Sequence, residues 1–208
     1  MISGILLAAG ESSRMAPEFK PLLKWGTKTV IEACIDNLRR SRLDEILVVL
    51  GHREAELRER LAAKGVQFVI NPDYRSGMLT SIKRGWSEIS PQSEAVMIAL
   101  VDQPTVTSSI IDRVVTAFWK GDKKIVVPVF EGKHGHPVIL DREFEQEVMR
   151  LEDAAPDGLK TLIHAHKDDI LEVPVNSSSV LDDIDNPGDY ERLSRVVEPF
   201  YEHHKWHP

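Results

Sequence analysis

A short apolar run that passes directly into small, polar and cationic residues constrains this chain more than any other stretch. Residues 5–9 are apolar throughout and predict a buried strand. Four small or polar residues end this run, and two cations, Arg14 and Lys20, follow within one short segment. A strand that ends in such a loop leaves backbone N–H groups free to face an anion. The stretch therefore predicts a loop that binds a triphosphate.

Neither of the two common phosphate-binding loops is present in this stretch. A Walker loop requires Gly-Lys followed by Ser or Thr, and that tripeptide is absent. The dinucleotide fingerprint requires three glycines at a fixed spacing, whereas only Gly4 and Gly10 occur here. From the residues alone, a plain turn with a surface arginine and a surface lysine remains the alternative.

Composition limits the class of protein and the kind of partner. A length of 208 residues suits one α/β domain with a sizeable core. The net charge of −7 argues against a nucleic-acid partner, and it means that local cations or a metal ion must hold a triphosphate. No apolar run approaches the roughly 20 residues of a membrane-spanning helix, and no signal peptide is evident. Cys34 is the only cysteine and excludes an internal disulfide, so we expect a cytoplasmic protein with no membrane partner.

Strands and helices alternate along the first part of the chain. Apolar runs predict strands at residues 45–50 and 66–70, and helical spacing predicts helices at residues 29–42 and 54–64. This β-α-β-α-β order is typical of a parallel sheet with crossover helices. The same patterns then predict helices at residues 79–89, 110–119, 144–151 and 159–165, strands at residues 95–101, 124–130, 138–140 and 170–175, and a final helix with Asn186 as N-cap and Pro187 at its first position.

An acidic residue, Asp102, follows the most apolar strand, which we expect near the centre of the sheet. Open α/β sheets bind ligands at the carboxyl ends of their strands, so this carboxylate is placed to hold the Mg²⁺ that a triphosphate usually requires. A carboxylate that only caps the following turn is the alternative. At residues 181–185, apolar and acidic residues alternate. This alternation predicts a strand that turns Asp183 and Asp185 to the same side.

Two histidines, His134 and His136, lie in a glycine-rich turn. A zinc site requires three or four ligands, and the single thiol of the chain lies far away in sequence. Zinc is therefore not the leading interpretation of this turn.

Five short motifs, in the expected order, resemble those of the nucleotidyltransferases with a Rossmann-like fold, the MobA-like NTP transferase family. The resemblance is strongest to its molybdenum cofactor cytidylyltransferase branch. The motifs are Leu-Ala-Ala-Gly-x-Ser-x-Arg-Met followed by Lys, Asn-Pro-Asp-Tyr-x-x-Gly-Met-x-x-Ser, Asp-x-Pro after a strand, Gly-His-Pro, and Asp-x-Asp-x-Pro near the end. Two departures are Ala16, where the family usually has Gly, and a spacing from Arg14 to Lys20 that is one residue longer than in most of the branch.

The resemblance implies a fold and a domain organisation. It extends from residue 5 to about residue 193 and implies a three-layer α/β/α fold with a mainly parallel sheet. Residues 1–197 would form a single nucleotidyltransferase domain. Residues 198–208 are polar and terminal, and we expect them to be disordered.

The resemblance also implies roles for individual residues. In this family the first loop surrounds the nucleotide phosphates, the acid at the strand end and the closing motif hold the metal, and Gly-His-Pro borders the acceptor. By the match, the catalytic residues are Arg14, Lys20 and Asp102, the metal ligands are Asp102 and Asp185 with Asp183 as a weaker candidate, and the acceptor-binding residues are Gly135, His136 and Pro137. The nucleotide-binding residues are Leu7, Ala8, Ala9, Gly10, Glu11, Ser12, Ser13, Arg14, Lys20, Asn71, Gly77 and Ser81.

The reaction implied by the resemblance is Mg²⁺-dependent transfer of CMP from CTP to the terminal phosphate of molybdopterin, or molybdenum cofactor, with release of pyrophosphate. A molybdoenzyme that receives the product is an implied partner. In the family, Ala at the position of Ala9 accompanies CTP, and Gly accompanies GTP. Two alternatives stay open. One is nucleotidyl transfer to another phosphorylated acceptor, such as a sugar or alditol phosphate, or with GTP as the donor. The other is a non-catalytic module that delivers a bound cofactor to a partner enzyme.

Overall fold

The first strand is central to the sheet, and the rest of the fold is built on it. The computed structural model describes residues 1–155 and 157–195, and in it every residue of β1 (Ile2–Ala8) is buried. Successive side chains of a strand face opposite sides of the sheet. Both sides of β1 are apolar, because Leu6 packs into one hydrophobic cluster and Leu7 into another. A strand buried on both faces requires helices on both sides of the sheet.

The secondary structure follows the predicted order, with three short strands in addition. The other strands are β2 (Lys24–Trp25), β3 (Lys28–Thr29), β4 (Glu45–Leu50), β5 (Gln67–Ile70), β6 (Ala95–Leu100), β7 (Ile125–Phe130), β8 (Lys133–His134), β9 (Val138–Asp141) and β10 (Ile170–Pro174). The helices are α1 (Val30–Arg39), α2 (Glu54–Leu61), α3 (Met78–Trp86), α4 (Ser108–Lys120), α5 (Glu145–Arg150), α6 (Lys160–Ala165) and α7 (Pro187–Ser194). The three strands without a prediction are β2, β3 and β8, each of two residues, which is too short for a periodic signal.

The main sheet has the strand order β10-β7-β9-β6-β1-β4-β5, and β8 pairs with β7. Strand β1 runs parallel to β4 and β6, β4 runs parallel to β5, and β7 runs parallel to β10. Strand β9 lies between β6 and β7 and is antiparallel to both. The predicted mainly parallel sheet is therefore confirmed, with an antiparallel insertion that no local pattern announces.

Helices cover both faces of the sheet. One cluster contains Ile35 of α1, Leu57 of α2 and Val114 of α4, and the other contains side chains of α3, α5 and α6. This arrangement confirms the predicted Rossmann-like three-layer α/β/α fold. Two helices begin at capping boxes, in which Thr29 pairs with Glu32 before α1 and Asn186 pairs with Asp189 before α7. The predicted N-cap at Asn186 is thus confirmed.

The predicted strand at residues 181–185 is wrong. This segment is a loop that is fastened to the end of β6, because the backbone N–H of Ile184 donates to the carbonyl oxygen of Asp102 at 2.9 Å. The backbone N–H of Leu181 donates to the carbonyl oxygen of Ser178 at 2.7 Å. Alternation over five residues therefore does not mark a strand here. A short 3₁₀ turn (Ser178–Val180) ends next to the segment, and no strand among the residues that the structure describes pairs with it.

No helix within the described ranges is both long and apolar enough to cross a membrane. The predicted tail, residues 198–208, lies outside the described residues.

Candidate functional site

A cavity of about 260 Å³ opens at the carboxyl ends of β1 and β6. Because these strands are adjacent and parallel, the loops that leave them meet at one edge of the sheet. The loop after β1 forms one wall, and it turns at Ser12, which has a left-handed φ of 57°. The predicted residues that line this first cavity are Leu7, Ala8, Ala9, Gly10, Ser12, Ser13, Arg14, Lys20, Ser81, Asp102 and Asp185.

A cluster of two cations and two carboxylates lies in the first cavity. The ammonium group of Lys20 is 3.2 Å from Oδ2 of Asp102 and 3.8 Å from Oδ1 of Asp185. The guanidinium of Arg14 donates to the same Asp185 oxygen at 2.7 Å. Lys20 comes from the loop after β1, Asp102 from the end of β6 and Asp185 from the segment before α7. The fold thus brings together residues from three segments that are remote in sequence.

The burial of Lys20 depends on these partners. Its side chain is only 10% exposed, and a buried ammonium group is unfavourable unless it is paired. The two carboxylates supply that pairing, while Arg14 at 70% exposure reaches the cluster from the solvent side. The cluster therefore holds one buried cation and one exposed cation, an arrangement suited to binding a polyanion.

The carboxylates also fit a divalent cation. Oδ1 of Asp102 is buried and has no hydrogen-bond partner within the described part of the chain, so it has unused capacity as a ligand. Across residues 1–155 and 157–195, no group of three His, Cys, Asp or Glu side chains is arranged to hold a metal ion. A metal at Asp102 and Asp185 would thus take its other ligands from substrate phosphates and water, as Mg²⁺ commonly does.

Asp183 borders a different cavity from this cluster. It accepts a hydrogen bond from Nε2 of Gln103 at 2.8 Å and lines a second cavity, whereas Asp185 lines the first. The prediction that both carboxylates face the same side is therefore wrong, because residues 181–185 do not form a strand. Burial, together with the charge of Asp102, raises the pKa of the Asp183 carboxyl group.

The second cavity is larger, about 1090 Å³. Of the predicted acceptor residues, Gly135 and His136 line it. Pro137 instead borders a small cavity of about 20 Å³ together with Cys34. The first and second cavities share two lining residues, Met78 and Leu100.

Close packing against Val180 requires a glycine at position 135. A Cβ at this position would lie 2.3 Å from the carbonyl oxygen of Val180, and the N–H of His136 donates to that same oxygen at 3.0 Å. The glycine thus lets the turn after β8 approach the segment that carries Asp183 and Asp185. Gly10 differs, because a Cβ there would meet no atom within 4 Å, and it borders the first cavity.

The fold favours the neutral form of the His136 ring. Burial lowers the pKa of the ring, and a hydrogen bond to the backbone carbonyl of Ile98 opposes that shift. Nδ1 is buried and has no hydrogen-bond partner among the described residues. The ring therefore offers an acceptor nitrogen at Nδ1, rather than a second donor.

Three predicted nucleotide-binding residues do not border the first cavity. Glu11 points away and pairs with Arg75 at 2.6 Å, and this contact lowers the pKa of the Glu11 carboxyl group. Asn71 is buried behind the wall, where its side-chain amide donates to the hydroxyls of Thr80 and Ser81, both at 2.9 Å. Gly77 lines the second cavity.

Several residues that border the two cavities were not predicted from the sequence. Tyr74 and Met78 fall within the quoted Asn-Pro-Asp-Tyr motif and line the first cavity, as does Leu100 at the end of β6. Gln103 is buried and donates to both Val180 and Asp183. A buried glutamine needs hydrogen-bond partners. The polar glutamine between Asp102 and Pro104 at the end of β6 was the sequence signal for this role.

Comparisons with known proteins identify relatives of this chain. The family model of the MobA-like NTP transferase domain matches residues 4–170. The chain is 28% identical over 190 residues to the Molybdenum cofactor cytidylyltransferase of Escherichia coli (strain K12), covering 91% of this chain and 93% of that one. It is 26% identical over 147 residues to the Nicotine blue oxidoreductase of Paenarthrobacter nicotinovorans, covering 67% of this chain and 71% of that one.

Solved structures share the same fold. Rv0371C from Mycobacterium tuberculosis H37Rv, in complex with manganese, superposes with a TM-score of 0.80 at 27% identity, covering 94% of this chain and 99% of that one. The family model spans most of the chain, and the cluster of Arg14, Lys20, Asp102 and Asp185 lies in the cavity beside the first strand. This protein therefore belongs to the MobA-like NTP transferase family and is a nucleotidyltransferase.

Proposed function

We propose that the protein transfers CMP from CTP to the terminal phosphate of molybdopterin, or of molybdenum cofactor, and releases pyrophosphate. The observation that carries this proposal is the pairing of Lys20 with Asp102 and Asp185 beside the loop after β1. The similarity to a molybdenum cofactor cytidylyltransferase over nearly the whole chain supports this choice of donor and acceptor. A molybdoenzyme that takes up the product is part of the same proposal.

The reaction makes one P–O bond and breaks another. An oxygen of the acceptor phosphate attacks the α-phosphorus of CTP, and the bond from that phosphorus to the bridging oxygen of the β-phosphate breaks. Arg14 and Lys20 neutralise the charge that develops on the leaving pyrophosphate. No general base is needed, since a phosphate monoester is largely ionised at neutral pH. The work of the protein is thus to position the phosphates and to stabilise charge.

Asp102 and Asp185 would hold Mg²⁺. When bound, the ion would neutralise phosphate oxygens. The unpaired Oδ1 of Asp102 supports this role, as does the solved manganese complex of a relative.

Ala9 supports CTP as the donor. Its side chain is 4% exposed and lines the first cavity, so its methyl group restricts the space for a base. In this proposal the methyl group admits cytosine and excludes the larger guanine.

The second cavity would receive the acceptor. It opens next to the first cavity and carries His136 and Asp183 on its walls. Phosphorylated sugars and alditols would use the same donor chemistry, so they are the competing acceptors in the test.

The test is pyrophosphate release from each of the four NTPs, with Mg²⁺ and molybdenum cofactor as acceptor. Release with CTP alone is the expected result. Release only when a sugar phosphate replaces the cofactor would overturn the proposed acceptor. If folded protein releases pyrophosphate with none of the acceptors and none of the four NTPs, the proposed function is overturned.

A further inference from the structure

Met78 is an exposed apolar side chain at the centre of the site. It is 59% exposed, and the other exposed large apolar side chain among the described residues is Trp119, at 49%. Met15 and Met97, by contrast, are buried in the core. An isolated exposed methionine would need no explanation on an ordinary surface, but Met78 does not lie on one.

Met78 and Trp119 differ in their location relative to the two cavities. Met78 lines both the first and the second cavity, and among the residues that the structure describes only Leu100 also borders both. Trp119 belongs to α4 and borders neither cavity. The wall between the two cavities is therefore apolar, whereas the cations and carboxylates of the cluster lie on the first cavity alone.

The backbone that carries Met78 is fixed. Gly77 precedes it with a φ of 123°, and a Cβ on this glycine would lie 2.8 Å from the carbonyl oxygen of Asp153. The hydroxyl of Thr80 donates to the carbonyl of Gly77 at 2.8 Å and accepts from the side chain of Asn71 at 2.9 Å. The start of α3 is thus held in place, so the exposure of Met78 reflects a defined position.

A methionine suits a wall shared by two ligands. Its unbranched chain adapts to different shapes, and its sulfur makes favourable contacts with aromatic rings. The phosphates of the donor belong beside Arg14 and Lys20, so the base belongs against the remaining walls of the first cavity, which include Tyr74 and Met78.

We propose that Met78 is a specificity-determining residue that packs against the base of the nucleotide on one side and a planar ring of the acceptor on the other. This inference rests on the proposed function for the identity of the two ligands. It adds that the acceptor presents an aromatic or similarly flat group at the junction of the cavities. Contact with both ligands would also couple their binding, since the donor would complete the wall that the acceptor meets.

Protection from oxidation tests the contact without turnover. Free protein is treated with hydrogen peroxide, and sulfoxide at Met78 is followed by peptide mass spectrometry, with the partly buried Met149 as internal reference. CTP with Mg²⁺ is expected to slow oxidation of Met78 severalfold, and a pterin added to that mixture is expected to slow it further. Equal rates with and without both ligands would overturn the inference.

Kinetics of two variants test the specificity. Met78→Ala is expected to raise the KM of both substrates on the order of tenfold, because it removes the apolar contact. Met78→Leu keeps the volume and is expected to stay within about threefold of the wild type. Trp119→Ala removes the other exposed apolar side chain and is the matched control, with unchanged kinetics expected.

The outcomes separate this inference from the proposed function. Normal cytidylyl transfer by Met78→Ala, with wild-type KM values, would overturn the role of Met78 and leave the proposed reaction intact. Failure of the wild-type protein to release pyrophosphate would overturn the proposed reaction. The oxidation experiment would still show whether Met78 contacts the nucleotide, because it needs no turnover.

Discussion

The ammonium group of Lys20 lies 3.2 Å from Oδ2 of Asp102, although the two residues are 82 positions apart in the chain. The contact exists because β1 and β6 are neighbouring parallel strands whose carboxyl ends share one edge of the sheet. Each residue follows one of these strands. The chemistry proposed for the protein depends on this closeness, since the lysine would neutralise phosphate charge while the aspartate would hold a metal ion.

Loss of either member of this pair should abolish most of the activity. Lys20→Ala and Asp102→Ala are each expected to lower kcat on the order of a hundredfold or more, because charge stabilisation in the transition state is lost. Steady-state pyrophosphate release measures the effect, and circular dichroism checks the fold. Lys124→Ala is the control, since Lys124 forms an exposed ion pair with Glu143 away from both cavities. Wild-type turnover in either site variant would contradict the mechanism.

Two aspartates of one segment should differ in their effect on metal dependence. Asp185→Asn is expected to raise the Mg²⁺ concentration for half-maximal rate on the order of tenfold or more, because a charged ligand is lost. Asp182→Asn should leave it unchanged, since Asp182 accepts hydrogen bonds from Ser178 and Arg192 and lines neither cavity. A Mg²⁺ titration of the rate measures both. Equal curves for the two variants would argue against Asp185 as a ligand.

Substitutions at two glycines should separate an effect on stability from an effect on CTP binding. Gly135→Ala places a methyl group 2.3 Å from the Val180 carbonyl and is expected to lower the free energy of unfolding by about 2 kcal/mol or more. Gly10→Ala meets no protein atom within 4 Å, so it should keep stability but intrude into the first cavity and weaken CTP binding. Urea unfolding and CTP titration distinguish them. The account fails on this point if Gly10→Ala binds CTP normally.

The lowered pKa of His136 predicts a pH dependence of stability. The unfolded chain binds a proton on this ring near its ordinary value of 6.5, whereas burial keeps the folded ring neutral to lower pH. Below about pH 6.5 the unfolded state therefore holds more protons, so the free energy of unfolding falls as pH decreases toward the folded pKa.

His136→Gln removes this titration. Urea unfolding of wild type and variant between about pH 5 and 7.5 measures the effect, and the difference between the two proteins cancels the other histidines. The wild type is expected to lose more stability than the variant over this range. Parallel curves would show that the ring of His136 is not held neutral by the fold.

Ala9 should control the choice of nucleotide. Ala9→Gly removes the methyl group from the wall of the first cavity, and the ratio of kcat/KM for GTP to that for CTP is expected to rise on the order of tenfold. Parallel assays with the two nucleotides give this ratio. An unchanged ratio would indicate that other residues lining the first cavity, such as Tyr74 and Met78, select the base.

The parts of the site that lie next to a strong local pattern were predictable from the sequence. The apolar run of β1, the small residues after it and Asp102 at the end of β6 each follow a rule about strands and strand ends. The loop cations were predicted as well, and the fold brings Arg14 and Lys20 together with Asp185.

The parts that depend on distant pairing were not predictable. Strand β9 enters the sheet antiparallel between β6 and β7, and nothing in its own four residues sets that direction. Residues 181–185 alternate as a strand would, yet their backbone is fastened to the end of β6 as a loop. Asn71 shows a third case, because a polar residue in a loop motif is buried as a support for the first cavity's wall.

The most direct test of the central claim follows the α-phosphorus of CTP. Protein, Mg²⁺ and molybdenum cofactor are incubated with CTP labelled at the α-phosphorus, and in parallel with CTP labelled at the γ-phosphorus. The account predicts that the α label moves to the cofactor, while the γ label appears in pyrophosphate. Recovery of both labels in unreacted CTP, from folded protein that binds the nucleotide, would contradict cytidylyl transfer to this acceptor.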